Sequence, residues 1–287
     1  MQTIQLIPLV LFFGCGPGTG TASFTTWGED FVERQIPPDP GGEAGFVDGW
    51  TLRYQKFLVT FHALEIADSD GTLGARFEGS VLVDNTKPGR KELVRFSDVE
   101  ARAFDSVSYE IKPATPSSTL LGATEADRAM MVEHGYSIYL AGAATKTGTA
   151  GQAITKTFHL GFALGTKYSA CQQPAESGHA IVGIVVTDGG SDVSELTTHG
   201  DHPYYDRLKA SPDPAIQTVL RFDEKAAADA DGDGELTMEE LDQARIDVRK
   251  YDPSGFDAPN LGAFMRALAR TIGHFRGEGE CQISQVE

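Results

Sequence analysis

Apolar and polar residues alternate with a period of two through the middle of the chain. Val107, Tyr109 and Ile111 alternate with polar neighbours in "SVSYEI". Tyr136, Ile138 and Leu140 do so in "GYSIYLAGAA", and Ile154, Phe158, Leu160, Phe162 and Leu164 in "ITKTFHLGFAL", with Lys156 on the same face. "WTLRYQKFLVTFHALEIA" (50–67) and "ARFEGSVLVD" are rich in aromatic and β-branched residues, and "HAIVGIVV" and "SDVSELTTH" complete the set. Side chains of an extended strand point alternately to its two faces, so this rhythm predicts strands with one buried face. Many such runs separated by turn residues predict an antiparallel sandwich and not a parallel α/β sheet. One short helix interrupts them: Thr124 caps it, Asp127 follows three residues on, and Gly135 ends it.

After His202 the period changes. Asp213 followed by Pro214 supplies a capping oxygen and a preset φ, which predicts a helix start. Ile216, Val219, Leu220 and Asp223 keep helical spacing, as do Leu241, Ala244 and Val248 further on. A third helix is expected in "DAPNLGAFMRALARTIGHF", with Leu261, Phe264, Leu268 and Ile272 on one face. Residues 16–48, with "IPPDPGGEAG" at their centre, read as tether and loop. The expected division is a tether and loop at 16–48, a β-sandwich at 49–210, and a helical segment at 211–287. No internal repeat is visible.

Composition narrows the functional classes. A net charge of −17 over 287 residues argues against nucleic acid and against anionic membrane as partners. Ile4 to Phe13 is an apolar run too short to span a bilayer, followed by "LFFGC" and a Gly/Thr/Ser stretch. Residues 1–15 therefore resemble a bacterial lipoprotein signal with Cys15 as the lipidated residue. The alternative is an ordinary signal peptide with an incidental cysteine. Export to the periplasm or cell surface is expected, with membrane contact only through the lipid anchor. Cys171 and Cys281 then remain as an even pair in an oxidising compartment. A bridge would close a loop of about 110 residues, stabilising the fold by about 4–5 kcal/mol in the chain-entropy description. The alternative is two free, buried thiols.

"DADGDGELTMEE" (229–240) is dense in oxygen donors. Asp229, Asp231 and Asp233 occupy alternate places, and Gly234 stands where the backbone must turn sharply. Glu235 offers its carbonyl, Thr237 a water-mediated contact, and Glu240 a bidentate carboxylate. The segment resembles the calcium loop of the EF-hand family, which implies Ca²⁺ as ligand. From Asp223 to Asp242 nine acids face one base, so a cation is expected to order this stretch. No second loop is present: the nearest candidate, from Asp252, has Phe256, Asp257 and Ala263 at ligand or turn places. A structural calcium site is expected, and not a paired calcium switch.

"TTHGDHPYYDRL" holds a second constellation: His199, Asp201, His202 and Asp206 within eight residues. A turn at Gly200 would aim both imidazoles to one side, as Zn²⁺ or Cu²⁺ requires. Further ligands would come from His159 or His274, the latter drawn toward the β-body if Cys171 pairs with Cys281. The competing reading is a hydrogen-bonded turn, with Asp201 capping backbone donors and both histidines packed on Tyr204 and Tyr205. Nucleophile motifs, phosphate-cradling glycine loops and the zinc-protease helix pattern are missing, so no enzymatic activity is expected.

The stretches "GWTLRYQKFLVTFHALEIAD", "VLVDNTKPG" and "VSYEI" are similar to metal-associated periplasmic proteins that partner di-haem peroxidase-like enzymes, and to lipoproteins of predatory or soil proteobacteria. The resemblance implies an immunoglobulin-like sandwich and an exported compartment, and it assigns no ligand. Together these features lead us to expect a calcium-binding, metal-handling lipoprotein with metal ions, and a periplasmic or surface protein, as partners. The alternatives are a calcium-stabilised adhesive or scaffold module and a metal-dependent hydrolase.

Overall fold

The computed structural model describes residues 18–42, 44–173 and 181–287. The signal stretch 1–15 and its Cys15 lie outside the described residues. The protein is mainly β, with two principal sheets. The smaller runs in the order Gly273–Phe275, Ser191–Thr198, Thr19–Trp27, Lys91–Glu100. The larger runs Glu235–Thr237, Ala153–Phe162, Ile138–Thr147, Thr51–Ala67, Ser106–Ile111, Thr166–Ser169, Gln282–Gln285, with Leu73–Asp84 also paired to Thr51–Ala67.

The 17-residue strand Thr51–Ala67 organises the larger sheet. Its first half pairs with Ile138–Thr147 and its second half with Ser106–Ile111. The changeover falls between Val59 and Phe61, and a register shift follows between His62 and Glu65, where Ala63 adopts φ 47°. A bulge of this kind bends the strand within its pairing to Ser106–Ile111. Phe57, Phe61, Tyr109, Leu140, Phe158, Phe162 and Tyr168 are fully buried, as the period of two requires. Each such side chain contributes about 1.5–3 kcal/mol by leaving water.

Three expectations change. Residues 16–48 are expected as a tether, but among those described Thr19–Trp27 is an inner strand of the smaller sheet, and Val32, Ile36 and Phe46 are buried. The pairing is not wholly antiparallel. Thr19–Trp27 runs parallel to Ser191–Thr198, Glu235–Thr237 to Ala153–Phe162, and Leu73–Asp84 to Thr119–Leu121. The segment 211–287 is not a separate helical unit, because Gly273–Phe275 and Gln282–Gln285 complete the two sheets.

No helix forms at Pro214. The Asp213 carboxylate accepts from Ala215 N at 3.0 Å and its carbonyl from Ile216 N at 3.0 Å, which closes a turn instead. The helices are Asp223–Ala226, Met238–Gln243 and Leu261–Ala269, so Ala244 is already extended and Val248 lies in solvent. The helix Glu125–Glu133 forms where expected: Thr124 and Asp127 exchange a reciprocal capping box, and Gly135 follows with φ 64°. Cys171 and Cys281 are joined in a disulfide, their Cα atoms 4.1 Å apart. No described helix is long and apolar enough to cross a membrane.

Candidate metal centre

Strand pairing assembles the first site. Ser191–Thr198 leads directly into His199, whose N–H donates to Ile272 O at 2.9 Å. The antiparallel partner Gly273–Phe275 sets His274 opposite Thr197. Thr197 and His199 are two residues apart, so His199 and His274 share a face. The chain then turns at Gly200. A Cβ there would lie 2.6 Å from Val32 Cγ2 and 3.1 Å from the Tyr54 ring, so only glycine fits. The 3₁₀ turn His202–Tyr204 brings the third imidazole round.

The ring centres of His199 and His274 lie 4.4 Å apart, those of His199 and His202 5.0 Å, and those of His202 and His274 5.1 Å. Metal–nitrogen bonds of about 2.0–2.1 Å put three imidazoles around one ion with ring centres about 5 Å apart. Two sets of donor atoms fall within 4.8 Å of one another: His199, Asp201 and His202, and His199, His274 and Glu278. His199 belongs to both.

Burial decides protonation. All three histidines and Asp201 are at least nine-tenths buried. Burial first, then repulsion from His199 and His274, holds His202 well below the usual imidazole value. Burial and His199 bring His274 down to about 4. Both rings are thus neutral near pH 7 and offer lone pairs without proton competition. Burial pushes Asp201 and Glu29 up, opposed in each case by His199.

The surrounding bonds fix the tautomers. Thr271 Oγ1 donates its proton to Leu268 O at 2.8 Å, so it accepts from His202 Nδ1 at 2.9 Å. His202 Nε2 is therefore the bare nitrogen. His199 Nδ1 faces Glu29 Oε2 at 3.4 Å, leaving Nε2 buried and unpartnered. Asp201 Oδ2 accepts from Tyr205 Oη at 2.9 Å. Three polar atoms of the cluster, His199 Nε2, His274 Nδ1 and Asp201 Oδ1, are buried without a hydrogen-bond partner. Leaving such atoms unpaired costs about 1–3 kcal/mol each unless a ligand satisfies them. Neutral imidazoles with carboxylates suit Zn²⁺ or Cu²⁺.

Of the expected residues, the structure brings His199, Asp201 and His202 into one donor set and His199 with His274 into the other. It places two elsewhere. Asp206 accepts from Arg207 Nε at 3.1 Å and from Val219 N at 3.1 Å, which ties down a loop. His159 lies in the larger sheet, opposite Thr237, with its Nδ1 2.9 Å from Tyr139 Oη. Two residues were not anticipated. Glu278 stands beyond a tight turn in which Arg276 and Gly277 have φ 52° and 79°. Glu29 begins the helix Glu29–Glu33 with φ 57°, a conformation that costs a residue with a Cβ and that clusters at functional sites.

The acidic loop forms a second cluster. Carboxylate oxygens of Asp229, Asp231 and Glu240 lie within 4.8 Å of one another. Gly234 turns with φ 88°. Asp233 instead accepts from Glu235 N at 2.7 Å, and Thr237 caps the helix Met238–Gln243. Glu235–Thr237 pairs in parallel with Thr157–His159 at the edge of the larger sheet. Lys156 of that same strand donates to Asp229 Oδ2.

Comparison with family models, with curated proteins and with solved structures finds no match for this chain.

Proposed function

We propose that this protein is an exported, lipid-anchored metal-binding lipoprotein. Its transition-metal centre, for Zn²⁺ or Cu²⁺, is built by His199, His202 and His274 with Asp201 and Glu278. Its second cation site is a structural Ca²⁺ loop of EF-hand type, drawn from Asp229, Asp231, Asp233, Glu235, Thr237 and Glu240. We read the two principal sheets as an immunoglobulin-like sandwich that presents the first site at one end.

One observation carries the reading: three imidazoles with ring centres 4.4–5.1 Å apart surround buried polar atoms that no protein group satisfies. Hydrogen bonding alone does not account for such a cluster, whereas coordination satisfies each nitrogen at once. Elemental analysis of untagged protein should find one zinc or copper and one calcium per chain. The double variant His199→Ala/His202→Ala should lose the transition metal and keep the calcium. Unchanged zinc or copper content in that variant would overturn the assignment.

A further inference from the structure

The transition-metal reading leaves open whether the centre is sealed or accessible. A cavity of about 450 Å³ opens over it, and Asp201, His202, His274 and Glu278 form part of its wall. His199 is not among the lining residues; it stands behind them, against Glu29. Four of the five donor residues thus border the cavity, and the centre lies against it. Structural zinc sites are enclosed by four protein ligands, whereas accessible sites take three and keep a position free. Here the three imidazoles serve as the ligands, Asp201 and Glu278 stand beside them as outer partners, and the free position faces the cavity.

Resting on the metal assignment, we propose that this centre binds a small organic ligand through a neutral nitrogen donor, with the ligand's apolar body lying in the cavity. The volume lies within the range of small-molecule sites. Leu208, Leu220 and Leu268 also line the cavity, and a ligand body against them leaves water on contact. The charged groups on the wall do not favour an ionic head. Glu278 and Glu280 stand with Lys209 on the same wall, and Arg207 is already engaged by Asp206. A neutral lone-pair donor needs no counter-ion, and it matches the imidazole ligands the protein itself supplies.

The full chain loaded with Co²⁺ reports coordination through its visible absorption. Titration with imidazole and with 4-phenylimidazole should perturb that spectrum. The phenyl compound should bind at least tenfold more tightly, because its added ring is buried. Leu208→Gln should bring the affinity for 4-phenylimidazole toward that for imidazole, with Co²⁺ stoichiometry and imidazole affinity unchanged. A spectrum insensitive to both compounds, with one Co²⁺ bound, would show a sealed centre and overturn the proposal. Equal affinities for the two compounds would remove the cavity from it, and tighter binding of benzoate than of 4-phenylimidazole would overturn the neutral donor. Failure to bind Co²⁺, or a spectrum indifferent to His199→Ala/His202→Ala, sinks the metal centre itself, an outcome separate from those three.

Discussion

His202 and Thr271 are joined at 2.9 Å from Nδ1 to Oγ1, and the threonine hydroxyl is itself committed to Leu268 O. The last turn of the helix Leu261–Ala269 thereby dictates which nitrogen of His202 is free. Outer partners of this kind typically change metal affinity by about 10–100-fold. Thr271→Val should weaken zinc binding by that order in a chelator competition, while the far-ultraviolet circular dichroism stays unchanged. Thr271→Ser should restore most of the affinity. A valine variant that binds as tightly as the parent would show that the hydroxyl does not orient the ring.

Lys156 pairs with Asp229, the first carboxylate of the proposed calcium loop. The ammonium group engages the carboxylate that stands first in the loop, and this bond, ahead of all other causes, lowers the Asp229 pKa. A divalent ion entering the loop must share that carboxylate with Lys156. Lys156→Met should raise calcium affinity several-fold by calorimetry, and lower the stability of calcium-free protein, whose clustered carboxylates lose their nearest cation. Unchanged calcium affinity would place Lys156 outside the competition.

Lys225 gives a pH signature. It is fully buried, donating to Arg221 O at 3.1 Å and lying 4.9 Å from the centre of the Tyr251 ring. Burial lowers its pKa from 10.5 to about 8. Below pH 8 the lysine is charged in both folded and unfolded chains, and the folded state bears the full cost of burying that charge. Between about 8 and 10.5 only the unfolded chain holds the proton, so stability rises with pH, by on the order of 3 kcal/mol in total. Urea midpoints of the parent protein should climb relative to those of Lys225→Met as pH increases from about 8 to 10. A constant difference between the two would refute the shift. Above pH 10 the buried tyrosines, Tyr204 and Tyr251 among them, oppose the trend, since burial raises their pKa values.

The Cys171–Cys281 bridge spans 110 residues and ties the tail that carries His274 and Glu278 to the body. Cys171→Ser/Cys281→Ser should lower the melting temperature by on the order of 10 °C. A shift of only a degree or two would show that Arg276, whose guanidinium holds both oxygens of Asp192 at 2.7 Å, already secures the tail.

A buried strand with polar side chains carries no hydropathy signal. "TGTASFTTW" lacks an apolar stripe, yet it forms an inner strand, because Thr26 Oγ1 donates to Leu196 O at 2.8 Å and Phe24 packs on Phe96. A hydroxyl bonded in this way is buried at little cost, whereas Ser23 Oγ and Thr25 Oγ1 of the same strand are buried without a partner, and no hydropathy pattern announces either. The Asp213–Pro214 start signal was equally misleading: the same carboxylate that caps a helix also closes a turn. The core strands were legible because both periods there are simple, and His199, Asp201 and His202 because they are adjacent. His274 became legible through the cysteine pairing. Glu29 was not, since its role depends on a backbone φ that sequence does not display.

Glu29 combines a strained backbone with a contact to His199. Its φ of 57° and its half-buried carboxylate, with a raised pKa, both cost stability, and its Oε2 faces His199 Nδ1. Glycine adopts that backbone freely and removes the buried acid. Glu29→Gly should therefore stabilise the metal-free protein by about 1 kcal/mol. The same change deprives His199 of the carboxylate that orients it, so zinc affinity should fall by about tenfold or more. Glu29→Gln separates the two effects: it keeps the strained backbone and should lose affinity without the gain from relieved strain. If Glu29→Gly proves less stable than the parent in metal-free protein, the helix start needs this residue for packing. If it is more stable and binds zinc as tightly, the carboxylate does not orient His199.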